Sequence, residues 1–194
     1  RLAPSARVDD DLVAIARSVV ALHATDPATV VLSAMARMRT PAPEAVEQAL
    51  YEDRLIVRML AMRRTMFTCA VEDAALLQRS SSDAVAVTER KKLVTLLEDK
   101  EITTDATGWL AAVEAKTLAA LVEAGEAAAA ELTKLVPELA IQIPMSVGKA
   151  YEGTIGVSSR VLNLMGMEGK LARGRPKGRW TSSQHRWAPL EGWL

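Results

Sequence analysis

Apolar residues recur at helical spacing over the first quarter of the chain and then close into two unbroken runs. From Val8 to Leu22, the residues Leu12, Val13, Ile15, Ala16, Val19 and Val20 mark one face of a helix. Asp9, Asp10 and Asp11 stand at its start, where the helix dipole favours acids. His23-Ala24-Thr25 follows. Thr25 or Asp26 can cap a second helix, which opens on Pro27, where a proline forfeits no hydrogen bond, and runs to about Met38. Thr40-Pro41-Ala42-Pro43 breaks the chain, and a third helix is predicted from about Pro43 to Asp53. Leu55 to Met62 and Thr65 to Val71 are apolar and β-prone around Arg63-Arg64, which predicts a hairpin although no glycine marks its turn. A further helix starts near Glu72, and Ser80-Ser81-Ser82 reads as a loop.

The second half repeats this order of elements without repeating its residues. Helices are predicted over Ala84–Leu97, over Asp105–Ala124 with Gly125 as the stop, over Ala127–Leu135 and over Val157–Met167 with Gly169 as the stop. Ile141 to Gly156, with Pro144, Gly148 and Gly153, reads as irregular. Lys170–Arg173, Gly174–Gly178 and Arg179–Ser182 read as strand, turn and strand. Helices followed by a basic hairpin, met twice, predict a mainly α fold of tandem winged-helix (helix-turn-helix) units with short β-hairpin wings. The expected units are 1–97, with its connecting helices, and 98–194, with the basic wing.

Composition narrows the class. Apolar residues make up 49% of the chain, which is enough for a core, and aromatics only 4%. No apolar stretch reaches membrane-spanning length, and the first residues carry no signal-peptide pattern. The chain does not begin with methionine, so missing N-terminal residues are an expectation. The single cysteine, Cys69, lies in an apolar run and fits a buried structural thiol in a reducing, cytoplasmic setting. The net charge is zero but uneven: residues 98–138 hold nine acids and three bases, and residues 139–194 eight bases and three acids. A neutral chain with one basic end is suited to a polyanion.

Candidate contacts follow from that end. Arg173, Arg175, Lys177 and Arg179 surround the predicted second turn, with Lys170 and Arg186 close by. Arginines on a wing can neutralise phosphates or enter a narrow minor groove. Val157–Met167 is then the recognition helix, with Ser158, Ser159, Arg160 and Asn163 as its polar face toward phosphates or base edges. Arg63 and Arg64 crown the first hairpin in the same way. Trp180 and Trp187 are expected beneath the second hairpin as core. One cysteine and two histidines, His23 and His185, offer no zinc-ligand spacing. There is also no phosphate-cradling glycine loop and no nucleophile elbow. No metal or cofactor is expected.

Three segments together resemble the AlkZ/YcaQ-type winged-helix DNA glycosylases. Val20-Ala21-Leu22-His23-Ala24-Thr25-Asp26-Pro27 resembles their helix-junction motif, Leu55 through Phe67 their first wing, and Arg173-Gly174-Arg175-Pro176-Lys177-Gly178-Arg179-Trp180-Thr181-Ser182 their second wing. The resemblance implies a monofunctional, metal-free DNA-repair enzyme that hydrolyses the bond between deoxyribose and an alkylated or crosslinked purine. In that family a Gln-x-Gln or Gln-x-Asp pair at the junction holds a water against the anomeric carbon. By position, His23 and Thr25 would take these roles here. The chain departs from the pattern in both residues, and again where Arg63-Arg64-Thr65-Met66-Phe67 stands for Arg-Gly-Thr-Leu-His. The family also continues into a C-terminal β-rich domain, which is expected beyond Leu194.

Two DNA-directed functions remain open at this point, beside a third reading as a structural or protein-interaction domain whose basic face meets an acidic partner. One is a DNA glycosylase in which His23 and Thr25 position water. The other is a non-catalytic winged-helix DNA-binding protein or transcriptional regulator on the same scaffold. Both take double-stranded DNA as partner and neither needs a membrane. Both suit a bacterial-type cytoplasmic protein that is nucleoid-associated when bound to DNA, expected as a monomer with a dimer also allowed.

Overall fold

The computed structural model describes residues 10–146, 148–150 and 152–192. The predicted helix start at Val8 and Asp9 lies outside these residues. The first helix, α1 (Leu12–Arg17), is capped by Asp11, whose side chain accepts from the backbone N–H of Val13 and Ala14. It ends earlier than its apolar spacing predicts, because Val20 takes a left-handed backbone (φ 67°) and turns the chain out of the helix. Leu22–His23 then forms a two-residue strand, β1. Asp26 caps α2 (Pro27–Met35), and Pro27 sits in its first turn. The third predicted helix is α3 (Pro43–Glu47), which widens into a π turn over Gln48–Glu52.

The first predicted hairpin is present as β2 (Ile56–Leu60) and β3 (Met66–Ala70). β1 adds to β3 on the far side, giving an antiparallel sheet in the order β1-β3-β2. Without glycine, the turn places Arg63 and Arg64 themselves at positive φ, 56° and 61°. After α4 (Ala74–Leu77), the three serines do not form a loop. They close a π turn, Gln78–Ser82, that runs straight into α5 (Asp83–Asp99). The hydroxyls of Ser81 and Ser82 donate to the Leu77 and Leu60 carbonyls, so polar side chains are accommodated without breaking the helical path.

In the second half, α6 (Ala106–Ala124) begins at an Asp105 cap and stops at Gly125, whose φ is 74°. It is followed by α7 (Ala129–Leu135). The stretch expected to be irregular is a small hairpin, β4 (Gln142–Met145) with β5 (Gly153–Gly156). The eighth helix, α8 (Val157–Met167), has the predicted bounds. β6 (Leu171–Arg173) pairs with β7 (Trp187–Pro189), with Arg173 opposite Trp187, and not with 179–182 as expected. The connection from Gly174 to Arg186 is therefore a long loop that returns well past the predicted strand.

The architecture is mainly α with small antiparallel sheets. One continuous apolar core runs from Leu12 to Trp187 and is shared by both halves of the chain. A second, smaller cluster joins Val57, Met59 and Cys69 to Ala172, Ala188 and Leu190, which docks β6–β7 onto the first hairpin. Trp187 is buried and Trp180 packs against the main core. Cys69 is fully buried in the smaller cluster. No helix among the described residues is long and apolar enough to cross a membrane.

Candidate nucleic-acid interface

Extended backbone turns alternate side chains to opposite faces. At the junction this puts His23 and Thr25 outward together, while Ala24 between them is fully buried. The ladder fixes the segment: His23 lies opposite Phe67, and the Ala24 N–H donates to the Met66 carbonyl at 2.8 Å. From the other side, the Arg58 guanidinium donates to the Ala24 carbonyl at 2.9 Å. The imidazole Nε2 of His23 and the hydroxyl of Thr25 are 3.4 Å apart. The His23 ring meets the edge of Phe67 at 5.6 Å between centroids, with an interplanar angle of 85°. The pair thus forms an exposed, supported constellation that can present a hydrogen-bond acceptor and a hydroxyl to one water.

The crown of the first hairpin and the eighth helix meet across a cleft of about 530 Å³. Arg63, Arg64, Lys92, Arg160 and Asn163 line its polar side, and Leu93, Leu96, Leu164 and Met167 its apolar side. Two regions expected to contact DNA from their sequences, the first wing and the recognition helix, are therefore brought to one place. Glu89 is the acid of the cleft. It accepts from Lys92 at 2.9 Å and from Arg64 at 3.2 Å, and the hydrogen bond from Lys92 leads the shift of its carboxyl below the usual range. The acid holds these two long cations along the cleft wall, and Arg63 and Arg160 add to its positive side. Ser158 and Ser159 stand in the first turn of α8, where Ser159 donates to the Gly156 carbonyl at 2.9 Å.

The cations around β6 and the loop at 174–186, predicted to form a second wing, divide into three groups. Lys170 is tied into an ion network: it contacts Glu114 at 2.7 Å and Glu168 at 2.8 Å, and Arg90 binds the same two carboxylates. Arg173 and Arg175 lie at the base of the loop. Arg173 stacks its guanidinium on Trp187, 3.6 Å from the ring centroid. Arg175 pairs with Glu52 at 2.8 Å and lies over Tyr51. Lys177 and Arg179 are exposed on the loop itself.

Sequence reasoning passed over Arg58 and Lys92. A lone cation inside the apolar run Ile56-Val57-Arg58-Met59-Leu60 was a readable signal, since such a residue must be either paired or put to use. Lys92 carried no signal, because its place depends on how α5 packs beside α8.

The chain belongs to the AlkZ-like DNA glycosylase family, whose profile matches residues 16–194. Among solved structures, the Streptomyces sahachiroi DNA glycosylase AlkZ aligns with a TM-score of 0.57 at 14% identity, covering 90% of this chain and 42% of that one. At that identity the likeness is one of fold, and this chain spans less than half the length of that protein. No curated protein matches the sequence significantly.

Proposed function

We propose that this chain is a monofunctional DNA glycosylase module that binds duplex DNA and hydrolyses the bond between deoxyribose and an alkylated or crosslinked purine. The family match makes glycosylase chemistry the natural class, and the paired, exposed His23 and Thr25 carry the assignment. A neutral imidazole can accept a proton from water, and a hydroxyl can orient that water. The water oxygen bonds to the anomeric carbon as the bond to the base nitrogen breaks. The bonding electrons go to the departing base, and the proton goes to His23. An N7-alkylated purine is cationic, so it leaves as a neutral base and needs little further acid catalysis. Thr25 has neither the reach of glutamine nor the charge of aspartate, which puts the weight of the chemistry on the imidazole.

In this reading the fold is a pair of winged-helix units, 1–97 and 98–194, that share one core. The first wing and α8 would grip one stretch of backbone through the basic cleft. The exposed Lys177 and Arg179 of the second wing would reach a further stretch. The departures at His23, Thr25 and Phe67 favour a second reading, a DNA-binding module without this chemistry. Incubating the chain with N7-methylated duplex and measuring both free base and salt-dependent binding separates the two. The glycosylase reading expects base release. Salt-sensitive binding without release leaves the second reading.

A further inference from the structure

A row of polar groups crosses the sheet on the face opposite His23. Residues directly opposite one another in a ladder share a face, so Arg58 and Thr68 point to the same side, away from Met59, Phe67 and His23. Arg58 is only 2% exposed. One of its terminal nitrogens holds the Ala24 carbonyl and the guanidinium also hydrogen-bonds the Tyr51 side chain, while Nε and Nη1 have no partner among the described residues. The Thr68 hydroxyl opposite is fully buried and likewise unpartnered. β6 packs against β2 and brings in Arg173, whose Nη1 is also buried and unpartnered while the guanidinium lies flat on Trp187. Neither arginine forms an ion pair among the described residues. The neighbouring carboxylate of Glu52 is engaged with Arg175.

A buried guanidinium and a half-buried one near it, neither with a carboxylate, are costly: each loses water, and each repels the other. The effects reach the surrounding groups. Burial and the nearby Arg58 lower Arg173 to about 9, and burial with Arg173 and Arg58 lowers the His185 imidazole to about 4. A stack on an aromatic ring with donors left over is how arginine is held ready for a planar or tetrahedral oxyanion. Arg173 is itself partly exposed, with exposed His185 and half-exposed Arg175 near it, so the Arg173 end of the cluster is the one nearest solvent.

The geometry points to a phosphoryl-oxyanion receptor formed by Arg58, Arg173 and the Thr68 hydroxyl, distinct from the His23–Thr25 pair and from the basic cleft. Its ligand is one phosphate group, from the DNA backbone running past the second wing or from free phosphate. Bound there, the anion would supply acceptors to the three unpartnered nitrogens and neutralise charge beneath the carbonyl that carries the His23–Thr25 segment.

The test uses the full chain and inorganic phosphate, with chloride at matched ionic strength as reference. Thermal unfolding should shift up by about 5–10 °C at a hundredfold excess over the dissociation constant. The shift should vanish in Arg173→Gln and in Arg58→Met and persist in Arg79→Gln, a change at a distant exposed cation. Should Arg58→Met fail to fold, Arg173→Gln and Arg173→Lys carry the test alone. Duplex binding then identifies the source. Competition by phosphate, with a salt slope lower by about one in Arg173→Gln, assigns a DNA phosphate. A phosphate shift without competition assigns free phosphate. Equal melting in phosphate and chloride, with an unchanged salt slope in Arg173→Gln, overturns the receptor. None of these readouts requires base release, so the receptor can stand or fall apart from the glycosylase reading.

Discussion

His23 and Phe67 are cross-strand partners whose rings meet edge to face at 5.6 Å. Both stand where the chain departs from the motifs of the family it resembles, so the two departures touch. The Phe67 ring is the surface against which the imidazole is set, and such contacts contribute about 0.5–1.5 kcal/mol. Phe67→Leu should therefore slow single-turnover base release about 2- to 10-fold while leaving duplex affinity unchanged. An equal loss of affinity would show that Phe67 supports the wing rather than the imidazole.

The basic cleft makes a separate prediction. Arg64→Gln and Arg160→Gln should each weaken duplex binding across all sequences. Each should also lower the slope of log affinity against log salt by about 0.9 for every phosphate no longer neutralised. Binding isotherms at several salt concentrations give this directly. Unchanged slopes in both variants would remove the cleft from the DNA path.

The segment around β6 and its following loop should separate stability from binding. Glu114 is buried and receives Arg90 at 2.5 Å and Lys170 at 2.7 Å. Lys170→Met, which withdraws one charged donor from it, should cost about 1–3 kcal/mol by denaturant unfolding. Lys177→Gln, on the exposed loop, should leave unfolding unchanged and weaken DNA binding. The reverse pattern would exchange their roles.

His185 gives a pH dependence with a definite sign. Unfolded, its imidazole takes a proton near 6.5, whereas burial, Arg173 and Arg58 hold the folded group at about 4. Between these values the unfolded chain binds more protons, so stability falls as pH drops from 6.5 toward 4. His185→Gln should flatten that window in pH-dependent melting. Above pH 6.5 the substitution should have no titration effect.

Much of the fold was legible because it is encoded locally. Asp26-Pro27 announced a helix start, Gly125 a helix end, and the two apolar runs around Arg63-Arg64 a hairpin. The misses were set by tertiary partners. Leu22–His23 becomes a strand only because β3 offers an edge and Val20 adopts a left-handed turn, neither of which helical spacing reveals. The second hairpin closes on Trp187 because that ring fills the core and carries Arg173, while the glycine at 178 marked a turn inside the loop. Of the candidate site, the polar types and their order were readable. The meeting of Arg63 and Arg64 with Arg160 and Asn163, and the burial of Arg58, depend on packing between elements distant in the chain.

The proposed base release rests most directly on His23. The decisive measurement is single-turnover release of N7-methylguanine from methylated duplex by the unmodified chain and by His23→Ala at matched occupancy. Removal of a positioned base predicts a fall of about 100-fold or more with DNA affinity preserved. Release at equal rates would contradict the assignment of the chemistry to the His23–Thr25 pair.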